Sequence, residues 1–235
     1  MKRVTVGVIG CGYIAESAHI PNLYSVAEAK LIALCDTSLE RLTKVAGKFD
    51  LAPDVCYTDL DEFLKRDDMQ AVLICSSTSS HAAIAIKAAN AGKHIFVEKP
   101  MAENSADADA MIEAAEKNGV KLMVGHFMSF LPTHQRAKKM MREGAIGEIF
   151  NFEIHAETII IKPEEGILID FSPHCLDLLR WYFDDQKVNK VFAVLNSINN
   201  PAKKDTTATM IFELSSGITA TISVHWVPEY RNWDT

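Results

Sequence analysis

Gly10, Cys11, Gly12, Tyr13, Ile14 and Ala15 follow an apolar run at residues 4–9 and precede a helical stretch. Their G-x-G-x-x-A spacing suits the pyrophosphate of a dinucleotide. The first glycine turns the chain tightly, the second lets backbone approach the phosphates, and the alanine keeps helix close to strand. The helix N-terminus then faces the negative charge. Asp36 ends the next apolar run, about 20 residues further on, where a carboxylate can accept both ribose hydroxyls of adenosine and repels a 2'-phosphate. Thr37 and Ser38 come next and Arg41 only later, so the reading favours NAD over NADP. The bland alternative is a plain glycine turn, with Asp36 starting a turn or capping a helix that begins near Leu39.

Two more groups of residues could carry chemistry. Ligands of an open parallel sheet bind beyond the carboxyl ends of its strands. Residues 76–81 and Glu98-Lys99-Pro100 lie at two such ends, so Ser76, Ser77, His81, Glu98 and Lys99 are expected to face the cofactor. Pro100 restricts Lys99 to extended geometry, and a lysine in a partly desolvated cleft is suited to take a proton from an alcohol. Taken alone, Lys99 also fits a solvated strand end. Further on, His174 and Asp177 share a helix face, with Asp170 just before them. A carboxylate beside an imidazole fixes its tautomer, as an acid/base pair needs; a helix cap with a buried histidine is the competing explanation. His155 and Glu157 alternate onto one strand face, expected toward substrate with His174 nearby, and their spacing suits a substrate-facing pair better than a metal site. Residues 159–161, all isoleucine, would make one wall apolar or simply end a buried strand.

These residues need elements to position them. Near-continuous apolar runs at 4–9, 30–35, 71–75, 94–98 and 121–125 predict parallel strands covered on both faces. They alternate with helical patterns, including residues 80–91 and 105–117, which Gly92 and Gly119 would stop as left-handed caps. The grammar changes after Gly125. A helix at 132–143 ending at Gly144 and an alternating strand at 148–158 come first. A helix at 172–183 follows, with Ser172 or Asp170 at its cap and Pro173 at its first position. Strands at 188–195, 206–214 and 218–226 complete the pattern, the last two joined as a hairpin across 215–217. The expected organisation is a doubly wound α/β domain over residues 1–125 and an α+β domain with a largely antiparallel sheet over 126–235.

Composition fits this. The chain has 235 residues, 48% hydrophobic and 23% charged, with a net charge of -7. That is enough apolar material for sizeable cores and the wrong charge for nucleic acid or anionic membranes as main partners. No apolar run reaches the roughly 18 residues that span a bilayer. Cys11, Cys35, Cys56, Cys75 and Cys175 are scattered, odd in number and without a C-x-x-C pair. That disfavours a disulfide framework or a cysteine zinc site, and a reducing cytoplasm fits best.

The fingerprint, Asp36, Glu98-Lys99-Pro100, the turn at residues 144–149 and the Asp170/His174/Asp177 spacing together resemble the Gfo/Idh/MocA oxidoreductases, over residues 3 to about 226. The resemblance implies a Rossmann domain followed by a substrate and oligomerisation domain. It also implies that Lys99, Asp170 and His174 act at the substrate, with Asp177 in support. The activity so implied is hydride transfer between NAD and a secondary alcohol of a sugar, cyclitol or related polyol. His174 or Lys99 would take the hydroxyl proton and Asp170 would orient the pair. Two alternatives stand beside it: redox-neutral NAD-dependent hydrolysis or elimination of a sugar, and a catalytically silent NAD-binding regulator. Relatives normally continue with further strands, so a C-terminally shortened chain, or one relying on homo-oligomer contacts through an exposed sheet, is expected.

Overall fold

The structure is a computed structural model that describes residues 3–158, 165–198, 200 and 202–226; the isoleucines at 159–161 lie outside the described residues. The chain divides into two compact units, Met1–Gly125 and His126–Thr235.

The first unit carries strands β1 (Val4–Ile9), β2 (Ala29–Cys35), β3 (Cys56–Tyr57), β4 (Ala71–Ile74), β5 (His94–Val97) and β6 (Leu122–Val124). They form one sheet in the order β3-β2-β1-β4-β5-β6, with every neighbouring pair parallel. The order reverses at β1, so the crevice for a ligand opens beyond the carboxyl ends of β1 and β4. Helices α1 (Ile20–Ser25), α2 (Leu39–Lys48), α3 (Leu60–Leu64), α4 (Thr78–Asn90) and α5 (Ser105–Lys117) cover both faces. One core packs Val6 and Val8 of β1 with Ile20, Leu42 and Val45. The other packs Ile9, Val72 and Ile95 with Phe63, Ala85 and Met111. Burial on both sides explains why these strands read as unbroken apolar runs. Gly92 (φ 70°) and Gly119 (φ 63°) adopt the left-handed geometry expected after α4 and α5. β3 was not expected, because two residues carry no periodic signal.

In the second unit, α6 (Pro132–Arg142) precedes β7 (Asn151–Thr158), α7 (Ile167–Asp170), α8 (Ser172–Tyr182), β8 (Val188–Asn196), β9 (Thr207–Leu214) and β10 (Thr219–Trp226). The sheet order is β7-β10-β9-β8. β8, β9 and β10 pair antiparallel, whereas β7 joins β10 in parallel. The sheet is thus mixed at the edge where β7 adds. Phe152, Ile154 and Ala156 of β7, Met210 of β9 and Ile222 of β10 face Cys175 and Leu179 of α8 in one core. The cap expectation needs correcting. Phe171, not Ser172, precedes the first residue of α8, and the Ser172 hydroxyl donates to the Ile167 carbonyl at 3.3 Å. Asp170 is likewise no cap: it is the last residue of α7.

No helix among the described residues is long and apolar enough to cross a membrane. Gly7 is the most closely packed glycine of the first unit, since a Cβ there would clash with Met69 Sδ and lie 2.5 Å from Phe63 Cζ. Gly7→Ala should therefore destabilise the unit by about 1–3 kcal/mol, the usual cost of overpacking. Thermal unfolding checks this, and an unchanged Tm would show that the core yields freely.

Candidate cofactor and catalytic sites

Beyond β1 the backbone turns at Gly10 (φ 89°), where a Cβ would sit 2.6 Å from Ser76 N and 2.7 Å from Cys75 C. A side chain there is excluded by both φ and the end of β4. Gly12 is the opposite case, since a Cβ there would meet no atom within 4 Å. Its missing side chain leaves the space above the turn open. Ala15 is fully buried, while Tyr13 is 82% exposed.

A cavity of about 660 Å³ opens at this point, lined by Gly10, Gly12, Asp36, Arg41, Ser76 and Ser77 among others. Asp36 is almost wholly buried beside it. Its Oδ2 accepts the Cys11 N–H at 2.8 Å and its Oδ1 accepts the Ser38 N–H at 2.8 Å. Helix capping falls instead to Ser38, whose Oγ accepts the Arg41 N–H at 3.3 Å. The first turn of α2 brings Arg41 back over the carboxylate, Nε to Oδ1 3.4 Å, a contact that linear spacing hid. A carboxylate has about four lone-pair sites, so acceptor capacity remains beyond the two amides and Arg41. The residues present fit a dinucleotide: an open glycine turn, a held carboxylate and serine hydroxyls at the far wall. The thiols of Cys11 and Cys35 are pushed up to about 12 by burial and then by Asp36. Burial raises the Cys75 thiol too, with Glu98 adding to it, so these three thiols stay protonated at physiological pH.

His81, expected at the cofactor, is turned into the protein. It is 1% exposed, with Nδ1 2.9 Å from the Pro100 carbonyl and Nε2 3.1 Å from that of Ser76. It braces the end of β4 against the turn after β5, so its ring nitrogens face two backbone carbonyls and not the open cavity. At that turn the Lys99–Pro100 peptide is cis. Glu98 Oε2 accepts the Lys99 N–H at 3.0 Å, and Oε1 lies 2.6 Å from His19 Nε2. Burial raises the Glu98 pKa, but the hydrogen bond and charge of His19, then Lys99, outweigh it and hold the carboxyl below its ordinary value. His19 was absent from the sequence reading. The signal available for it is weak, a histidine nine places after Gly10 and two before Pro21.

In the second unit, His174 and Asp170 are buried, and Phe127 and Phe171 meet the His174 ring edge-on at 5.2 and 5.6 Å between centroids. Asp177 Oδ1 lies 3.3 Å from His126 Nδ1. Burial raises the Asp177 pKa against the opposing pull of His126. His126 and Phe127 were not anticipated. The expectation that His155 and Glu157 lie near His174 is overturned. Phe152, Ile154 and Ala156 face α8, so strand alternation puts His155 and Glu157 on the opposite, outer face. There His155 Nε2 sits 3.5 Å from Glu153 Oε2, with the His155 side chain 68% exposed.

Comparison with known proteins places both units. A family model described as "Oxidoreductase family, NAD-binding Rossmann fold" matches residues 4–126, and one described as "GFO/IDH/MocA C-terminal domain" matches 134–235. The myo-inositol 2-dehydrogenase of Thermotoga maritima is 34% identical over 80% of this chain and 57% of its own length. The D-apiose dehydrogenase of Paraburkholderia graminis is 29% identical over 94% of this chain and 60% of its own. The chain thus spans about three fifths of the length of these curated relatives. Among solved structures, a probable dehydrogenase from Thermotoga maritima superposes with a TM-score of 0.88 at 30% identity, covering 95% of this chain and 69% of that one. An aldose-aldose oxidoreductase from Caulobacter crescentus complexed with glycerol gives 0.87 at 26% identity, over 95% of this chain and 71% of that one.

The depressed pKa of Glu98 has a pH signature. Stability from a carboxyl whose folded pKa is lowered is present above its unfolded value, about 4.3 for glutamate, and is lost as pH falls through the folded value. Glu98→Gln should therefore lower Tm at neutral pH and converge on the parent as the solution is acidified. Parallel Tm curves for the two proteins would contradict the assignment.

Proposed function

The chain belongs to the Gfo/Idh/MocA oxidoreductase family, and from that premise we propose that it is an NAD-dependent dehydrogenase acting on a secondary alcohol of a sugar, cyclitol or related polyol. Asp36 is the observation that carries the cofactor half of this reading. Backbone N–H groups of Cys11 and Ser38 hold its carboxylate at the cavity edge, with lone pairs left for ribose hydroxyls. Gly10, Gly12, Tyr13, Ile14 and Ala15 would hold the pyrophosphate on the opening turn, and Ser76 and Ser77 would line the remainder. Bound NAD supplies the hydride acceptor. The printed names of the relatives, an inositol and an apiose dehydrogenase, support the substrate class.

Lys99 and His174 are the candidate proton acceptors for the substrate hydroxyl. Asp170 would orient His174: it ends the short helix that leads into α8, and both side chains are buried. Asp177, paired with His126, supports the same helix face. Proton transfer by a positioned side chain contributes about 100- to 10,000-fold, so removing the acceptor should be costly. His155 and Glu157, on the outer face of the sheet, are not assigned to substrate. Self-association belongs to the same reading: Phe192, Val194 and Ile211 stand exposed on that outer face, and a second copy would cover them.

The test is a panel of cyclitols, aldoses and acyclic polyols, myo-inositol included, incubated with NAD while NADH absorbance is followed. We expect NADH from at least one polyol and a loss of about 100-fold or more in kcat with Lys99→Ala or His174→Ala, cofactor binding being retained. Product release from a sugar without net NADH, or full turnover by Lys99→Ala, would overturn the proposal.

A further inference from the structure

The helix that follows the glycine turn opens with a π-type turn over Ala15–His19, closed by the Ile20 N–H on the Ala15 carbonyl. Such turns insert one residue into a helix and are concentrated at functional sites. Here the turn aims His19 across the sheet end at β5. Its ring meets Phe96 edge-on, 5.8 Å between centroids at 67°, and its Nε2 reaches Glu98 Oε1 at 2.6 Å. The pair is largely shielded, with side chains 17% and 15% exposed. The other Glu98 oxygen accepts the backbone N–H of Lys99. Gly125, beyond β6, completes the fit: a Cβ there would lie 3.2 Å from the Phe96 ring and 3.3 Å from Glu98 Oε1. One carboxylate therefore links the helix behind the nucleotide turn to the backbone of the lysine.

We propose that His19 is a positioning residue for Lys99, acting through Glu98. Without the His19 bond, Glu98 keeps a shielded oxygen with one partner fewer. Its carboxylate is then free to rotate off the Lys99 amide, and the turn that aims the lysine loosens. A proton acceptor displaced by an ångström can cost on the order of 100-fold in rate, so a residue that never touches substrate can govern kcat. The inference rests on the proposed role of Lys99, but its first readout does not.

Two variants separate the bond from the packing. His19→Phe keeps a ring against Phe96 and removes the donor, whereas His19→Gln keeps an N–H donor near the same place. Amide hydrogen exchange at Lys99, followed by NMR against buried amides of β1, should accelerate about tenfold or more in His19→Phe, as expected when a charge-assisted hydrogen bond is weakened. In His19→Gln it should stay near the parent value. With NAD and the most active polyol of the panel, His19→Phe should lower kcat by about tenfold or more. KM and NAD affinity should stay unchanged, and His19→Gln should restore most of the rate. If His19→Phe does not fold, His19→Leu replaces it. Unchanged exchange at Lys99 in the donor-less variant, or a glutamine variant as impaired as the phenylalanine one, overturns the inference. Full turnover by Lys99→Ala would remove the catalytic reading instead, leaving the exchange result to stand or fall by itself.

Discussion

The capture of the Asp36 carboxylate by two backbone amides is the interaction on which the geometry of the first unit's cavity depends. It joins three things that sequence separates: the glycine turn after β1 through Cys11, the end of β2, and the start of α2 through Ser38. Charge-assisted hydrogen bonds are roughly twice as strong as neutral ones, and these hold a charge that is 6% exposed in its side chain. Arg41 supplies the compensating cation from the outside. The carboxylate is thus pre-positioned at the cavity edge and does not have to be recruited by a ligand.

A second constraint operates across the sheet. Gly10 has no room for a side chain because β4 ends against it, and Gly12 meets nothing. Close contact on one side and open space on the other is what a nucleotide-binding turn needs. His81 then ties β4 to the turn after β5, and Glu98 ties that turn to the first helix. The strand ends of this unit are thus cross-linked by three buried or half-buried polar side chains, Asp36, His81 and Glu98.

Much of this was legible in the residues. The strands of the first unit are recognisable because burial on both faces removes polar interruptions, and Gly92 and Gly119 stop helices where left-handed caps are needed. The glycine turn and Asp36 could be named because spacing brings them to neighbouring strand ends, and both line the same cavity. Other features could not be read this way. Arg41 returns to Asp36 only through the first turn of α2, and His19 reaches Glu98 only through a π-type turn that no periodicity announces. The parallel placement of β7 depends on which sheet edge accepts it, not on its own alternation. His155 and Glu157 are a different case. The apolar Phe152, Ile154 and Ala156 that alternate with them mark the inward face, so the outward placement of His155 and Glu157 is legible in the pattern itself.

In the proposed function, Asp36, held by Cys11 and Ser38, makes the cavity of the first unit an NAD site. Calorimetric titration of the parent chain and of Asp36→Ala with NAD and with NADP tests it most directly. The parent should bind NAD more tightly than NADP. Asp36→Ala should lose about tenfold or more in NAD affinity, because hydrogen bonds to a charged group are removed, while NADP is affected less. Tighter binding of NADP by the parent, or NAD affinity indifferent to Asp36, would contradict it.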